Sequence, residues 1–177
     1  DVNLMLYNDS TPKQFSEFEH YLEYGNFPEH EDTIKTMFNC YIELLLDYDL
    51  IAISVFSIAS HRACEMFCAA LRPHNKTIVI GGQGVSDKQW VQILIDNNLI
   101  TDFISGEGEV SFEKYLKGEP SPGINNYDYH QIDKLDALLV PNYNGFDFND
   151  YKLNELYITG SRGCVRKCTF CDVPLLW

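Results

Sequence analysis

Three cysteines near the C-terminal end of this 177-residue chain are the side chains best suited to chemistry. Cys164, Cys168 and Cys171 stand with three residues between the first pair and two between the second, and no fourth Cys or His lies close in sequence. Cubane [4Fe–4S] clusters are held by cysteine thiolates, normally four. Three thiolates can hold three corners and leave the fourth iron open, and an open coordination site is what a reaction needs. Zinc and ferredoxin sites are usually closed by a fourth protein ligand. Arg162, Arg166 and Lys167 gather around the cysteines in a chain whose formal net charge is −13. Such a local basic patch suits an anionic cluster or carboxylate, although surface solvation explains it almost as well.

The run Cys164-x-x-x-Cys168-x-Phe170-Cys171 resembles the cluster motif of the radical S-adenosylmethionine (SAM) superfamily, including the aromatic residue before the last cysteine. Ser161-Arg162-Gly163 ahead of it and Asp172-Val173-Pro174 behind it resemble the subset with an N-terminal cobalamin-binding domain. The resemblance implies a [4Fe–4S] cluster on Cys164, Cys168 and Cys171, with SAM chelating the open iron and the backbone at Phe170 touching its adenine. It implies one-electron cleavage of the sulfonium C–S bond to methionine and a 5′-deoxyadenosyl radical that abstracts hydrogen. With cobalamin present, methyl transfer to an unreactive carbon or a rearrangement follows. An electron donor such as a flavodoxin or ferredoxin is the implied partner. The alternative, from a different class, is a non-catalytic α/β binding module whose C-terminal cysteines hold a structural metal.

The elements that must position these residues read as follows. Val2–Tyr7 is a short strand, Asn8–Pro12 a turn, and residues 15–30 a short helix and loop broken by Gly25 and Pro28. Asp32 reads as an N-cap. Ile34, Met37, Phe38, Tyr41, Ile42, Leu45 and Leu46 then fall on one face of an amphipathic helix. Leu50–Phe56 is an apolar run expected to be a strand buried on both faces. A helix over Ala59–Leu71, with Ala63, Phe67, Ala70 and Leu71 on one side, ends at Pro73-His74-Asn75. Thr77–Ile80 is the next strand, and Gly81-Gly82-Gln83-Gly84 is its turn. Ser86 and Gln89 match a capping box opening a helix with Trp90, Val91, Ile93 and Leu94 on its apolar side. Asp102–Ile104 is a short strand, and a last helix runs to Leu116 and is closed by Gly118. Residues 119–150 have the texture of a linker, with Leu138–Pro141 as a local anchor. Leu156–Thr159 is a strand from whose end the cysteine loop hangs. The expected organisation is a cobalamin-binding-like domain over 1–118, a linker over 119–150 and the start of a radical SAM domain over 151–177.

Strand and helix alternate through residues 50–117, which implies right-handed βαβ crossovers and a Rossmann-like parallel sheet with flanking helices. Ligands of such sheets sit beyond the carboxyl ends of the strands. Those ends nominate Ser54, Ser57, Gly81, Gly82, Gly106, Glu107 and Gly108 as cofactor contacts. Ser54-Val55-Phe56 and Gly81-Gly82 resemble two elements of the cobalamin-binding pattern. The first element of that pattern, Asp-x-His-x-x-Gly, is missing: its nearest candidate, Asp9-x-Thr11-x-x-Gln14, lacks both the His and the Gly, so cobalamin would be bound without a histidine from that loop as lower ligand. The competing view is that these glycines only form tight turns. A nucleotide-binding fingerprint fits less well, because no third glycine stands in register and no P-loop Lys-Ser/Thr follows. Cys40, Cys64 and Cys68 lie on helices and read as buried core residues. His61 follows the Ser57 loop and could face a ligand, but it reads first as a surface or capping residue; Glu107 and Glu109 could contact a ligand, but carboxylates are favourable at a helix start without one.

Composition bounds the rest. Hydrophobic residues make up 45% and charged residues 22%, ordinary values for a globular protein. The acidic balance repels phosphate backbones and argues against general nucleic-acid binding. No apolar run reaches the roughly 18 residues of a membrane span, and no signal pattern opens the chain. Six cysteines without a secretory context point to a reducing cytoplasm. The chain does not begin with Met, and a radical SAM barrel would need further βα units after Trp177. The expectation is a fragment that does not turn over substrate alone.

Overall fold

A computed structural model of the chain describes residues 16–17, 20–22, 24, 31–128, 131–145, 147, 160–166 and 168–171. The strands expected at Val2–Tyr7 and Leu156–Thr159, the segment Asp9–Gln14, Lys167 and Asp172–Pro174 lie outside the described residues, as does the side chain of Ile34. The chain divides into two compact units, Asp1–His130 and Gln131–Trp177.

In the first unit, helix α1 (Glu31–Leu45) carries the expected apolar stripe: Met37 and Ile42 are buried, and Met37 packs against Tyr21, Leu22, Phe38 and Tyr41. Asp32 is not its N-cap. The helix already includes Glu31, and the Asp32 carbonyl accepts a bond from the Thr36 hydroxyl at 2.8 Å, as a residue inside the first turn does.

Strand and helix then alternate as the sequence implies: β1 (Leu50–Ser54), α2 (His61–Leu71), β2 (Thr77–Gly81), α3 (Lys88–Asp96), β3 (Asp102–Phe103) and α4 (Gly108–Lys117). The three strands form one parallel sheet in the order β1-β2-β3. Its register sets Ile51 beside Ile78, Ser54 beside Gly81 and Ile80 beside Phe103. One sheet face, carrying Ile51, Ile78, Ile80 and Phe103, forms the core with Cys64, Cys68 and Leu71 of α2 and Trp90, Val91 and Leu94 of α3. Leu71, Ile80 and Leu94 are fully buried, and each contributes about 1.5–3 kcal/mol by leaving water.

Four expectations are corrected here. First, β1 is not buried on both faces: Ile51 is buried, whereas Ala52 and Ser54 are exposed. The strand also ends at Ser54. The Val55 carbonyl accepts the Gly84 N–H at 2.8 Å as the chain turns away, leaving Phe56 75% exposed. Second, the buried seam of α2 is His61, Cys64, Cys68 and Leu71, while Ala63, Phe67 and Ala70 are half-buried beside it. Third, the N-cap of α3 is Asp87, whose carboxylate accepts the Gln89 and Trp90 N–H groups at 3.1 Å each. The Ser86 hydroxyl instead turns back to the Gln83 carbonyl at 2.7 Å, and Ile93 is exposed. Fourth, the chain does not leave this unit at residue 118. Gly118, at φ 68°, closes α4 as expected. Residues 121–127 then return as a strap along β3: Ile104 bridges Ile124, the Ser105 N–H donates to the Gly123 carbonyl at 2.9 Å, and Asn125 bonds the Phe103 backbone in both directions.

The second unit contains a short 3-10 turn at Leu135–Ala137. The expected anchor at Leu138–Pro141 is mostly open: Leu138 is half-buried, and Leu139 and Val140 are exposed. Among the described residues no helix is long and apolar enough to cross a membrane.

Candidate functional site

A cavity of about 330 Å³ lies on the sheet face opposite the core. Side chains alternate along a strand. Ala52 and Ser54 of β1 and Val79 and Gly81 of β2 therefore share that face, and all four line the cavity. Ile104, just past β3, and Gly108, Glu109 and Phe112 from the first turns of α4 complete the wall. Small residues at 52, 54 and 81 keep the floor low. Gly108 and Phe112 are four apart and fall on one helix face.

The glycines here divide into two kinds. Gly82 has φ +92°, and a Cβ built there would lie 2.7 Å from the Val55 carbonyl oxygen. A Cβ on Gly84 would collide with the Val55 side chain. Close passage of the turn past Val55 thus accounts for both. Gly81 is different: a Cβ there would meet Ile104 only at ordinary contact distance, 3.6 Å from its carbonyl oxygen. At Gly108 it would meet nothing within 4 Å. Neither packing nor a positive φ demands glycine at 81 or 108, and both border the cavity.

Of the predicted contacts, Ser54, Gly81, Gly82 and Gly108 line the cavity, and Ser57, Gly106 and Glu107 do not. Ser57 precedes a 3-10 turn and accepts the Ser60 N–H at 2.9 Å through its carbonyl. Gly106 takes φ 76°, which serves the turn into α4, and Glu107 is buried at the head of that helix. Ala52, Val79, Ile104 and Phe112 are additional lining residues. Strand alternation at 52 and 54 and the four-residue step from Gly108 to Phe112 are the sequence signals that point to two of them.

His61 is a core residue rather than a surface one. It is buried, its Nε2 donates to the Gly84 carbonyl at 2.9 Å, and its ring stacks on Trp90 with centroids 3.7 Å apart. The Trp90 indole N–H donates to Glu65 at 2.7 Å. His61 therefore fixes the glycine turn at the cavity rim from behind. Next to it on α2, the Cys64 and Cys68 sulfurs are 3.9 Å apart in the core. The bond to Cys68, then burial, then the nearby charges push the Cys64 thiol far up from its ordinary range.

In the second unit, Cys164 and Cys168 are exposed and Cys171 is half-buried, and all six cysteines of the chain are free. The Cys171 N–H donates to the Cys168 carbonyl at 3.2 Å, closing a turn over Thr169 and Phe170. The Arg166 N–H points at the Cys164 sulfur, 3.4 Å away. Gly163, at φ 75°, supplies the left-handed bend before Cys164. Val165 and Phe170 are 97% and 88% exposed. Among the described residues no three His, Cys, Asp or Glu side chains are gathered as a metal would require. As a donor set the loop nevertheless suits a thiolate-bound metal: three free thiols, two of them spanned by one turn and the third already accepting an N–H. The sulfurs must swing together on binding, so metal affinity and loop ordering are coupled.

The chain matches no protein-family model, no curated protein and no solved structure among those compared. The fold defines a mixed α/β protein built on a small parallel sheet flanked by helices, with a cavity on one face of that sheet and a cysteine loop in a separate unit.

Proposed function

We propose that this chain is part of a radical SAM enzyme. In this reading Cys164, Cys168 and Cys171 bind a [4Fe–4S] cluster, and the sheet domain binds cobalamin. The observation that carries it is the cysteine loop: three free thiols at the C-x-x-x-C-x-x-C spacing, with Cys168 and Cys171 on one turn. A cluster with SAM bound at its open iron supplies one-electron cleavage of the SAM sulfonium. The chain's own part is to bind, orient and shield. The backbone around Phe170 holds the adenine, and Arg162, Arg166 and Lys167 offset the negative charge of the cluster. The outcome is radical-based modification or methyl transfer on a substrate, fed by an electron donor such as a flavodoxin or ferredoxin.

The cavity supports the cobalamin half. It lies on the open face of the sheet and reaches the carboxyl ends of β1 and β2 at Ser54 and Gly81, and Gly81 and Gly108 border it without a packing reason for being glycine. Ser54, Gly81, Gly82 and Gly108 are the contacts proposed there.

Anaerobic reconstitution of the full chain with iron and sulfide tests the cluster. The expected result is a broad visible absorption that bleaches on reduction and is lost in Cys168→Ala. Stoichiometric zinc with no such absorption would leave the alternative, a binding module with a structural metal.

A further inference from the structure

The turn that spans Cys168 and Cys171 equips the loop for thiol chemistry of its own. All six cysteines are free, and the backbone selects which of them can pair. The Cys171 N–H donates to the Cys168 carbonyl at 3.2 Å, so these residues are the first and last of a four-residue turn. Such a turn holds its end Cα atoms within about 7 Å, and a disulfide spans a Cα separation of about 4.4–6.8 Å. Rotation of two side chains on an open loop then brings the sulfurs together. The other close pair is less suited. The Cys64 and Cys68 sulfurs are 3.9 Å apart, but the two residues are one turn apart on α2. Cβ atoms so spaced on a helix lie about 5–6 Å apart, a disulfide needs about 3.5–4.5 Å, and both side chains are held in the core. Among the described residues no backbone bond ties Cys164 to Cys168 or Cys171. Exposure separates the roles within the chosen pair. Exchange requires access to the attacking sulfur, and Cys168 is exposed whereas Cys171 is half-buried.

We infer that Cys168 and Cys171 form a redox-active dithiol that exchanges with small-molecule disulfides, Cys168 attacking and Cys171 resolving. The Cys168 sulfur, its proton given to solvent, attacks one sulfur of a disulfide RS–SR. That S–S bond breaks, and one RS⁻ leaves and takes up a proton. The Cys171 sulfur, likewise deprotonated, attacks the Cys168 sulfur of the mixed disulfide and displaces the second RS⁻. The two cysteines lose two electrons and two protons, and the substrate becomes two RSH. This chemistry needs no metal and is independent of the iron–sulfur reading. It bears on that reading in one respect: a closed 168–171 disulfide leaves a thiol only at Cys164, so the oxidised loop cannot offer three thiolates.

The reduced, chelator-treated full chain is incubated with glutathione disulfide, acid-quenched, alkylated after unfolding and mapped by mass spectrometry. The expected product is a disulfide joining Cys168 to Cys171, with Cys64 and Cys68 recovered as alkylated thiols. Cys171→Ser is expected to accumulate a glutathione mixed disulfide on Cys168, and Cys168→Ser to lose the glutathione reaction at position 171. No disulfide in the wild-type chain, a disulfide that includes Cys164 or joins Cys64 to Cys68, or a glutathione adduct on Cys171 in Cys168→Ser would overturn the inference.

Discussion

Gly82 and Gly108 both border the cavity, yet they answer to different constraints. At Gly82 a side chain would require φ +92° and would press on the Val55 carbonyl. Gly82→Ala is expected to cost about 1–3 kcal/mol of stability by urea unfolding. Gly108 has open space around its missing Cβ and stands at the first position of α4. Gly108→Ala should be neutral or stabilise by about 0.4–1 kcal/mol. Gly108→Leu should fold normally but weaken hydroxocobalamin binding about tenfold or more, a loss of at least about 1.4 kcal/mol. An unchanged titration would remove the cavity from the cobalamin account. The sequence displays all these glycines alike. Which are required by the backbone depends on how closely the turn passes Val55, a long-range contact that no local pattern encodes. Tyr115 makes a separate prediction. Burial and its bond to the Asp102 carboxylate at 2.6 Å raise its pKa from 10.0 to about 12. Because the folded protein favours the protonated phenol, this stabilisation is complete below pH 10 and is lost as the pH climbs towards 12. Tyr115→Phe should therefore show a flatter stability profile than wild type across that alkaline window, measured by urea unfolding.

At the scale of elements, α2 separates two kinds of cysteine. Cys64 and Cys68 lie on its buried seam, and the bond between them and the surrounding core keep the Cys64 proton in place. Thiolates are the reactive form. Iodoacetamide with peptide mapping should label Cys164 and Cys168 in the native apo chain and reach Cys64 and Cys68 only after unfolding. Modification of Cys64 in the native state would contradict the packing of α2. The alternation of β1, α2, β2, α3, β3 and α4 was legible because apolar runs and helical stripes are local signals. The departures have physical causes. An apolar run such as Leu50–Phe56 does not reveal whether both strand faces will be covered. Ser86 and Asp87 both suit an N-cap, and the carboxylate takes two N–H groups where a hydroxyl takes one. The strap after Gly118 reads as a linker because Asn125 and Gly123 are turn-type residues. Their use is to pair with Phe103 and Ser105, which lie some twenty positions earlier.

For the whole molecule, the cavity and the cysteine loop fall in different units. The parallel sheet and its cavity lie within Asp1–His130, and the cysteine loop lies within Gln131–Trp177. The three cysteines stood out in the sequence by their spacing alone, and among the described residues their side chains are not gathered as a metal would require. The cavity was legible only as a set of strand ends, because its floor depends on the register that puts Ser54 beside Gly81. The central claim is that three cysteines leave one iron of a [4Fe–4S] cluster open to SAM. Electron paramagnetic resonance of the reduced, reconstituted chain with and without SAM tests it most directly. The account predicts that SAM changes the spectrum of the wild-type cluster, as its amino and carboxylate groups take up the open iron. A reduced cluster whose spectrum is identical with and without saturating SAM would contradict it.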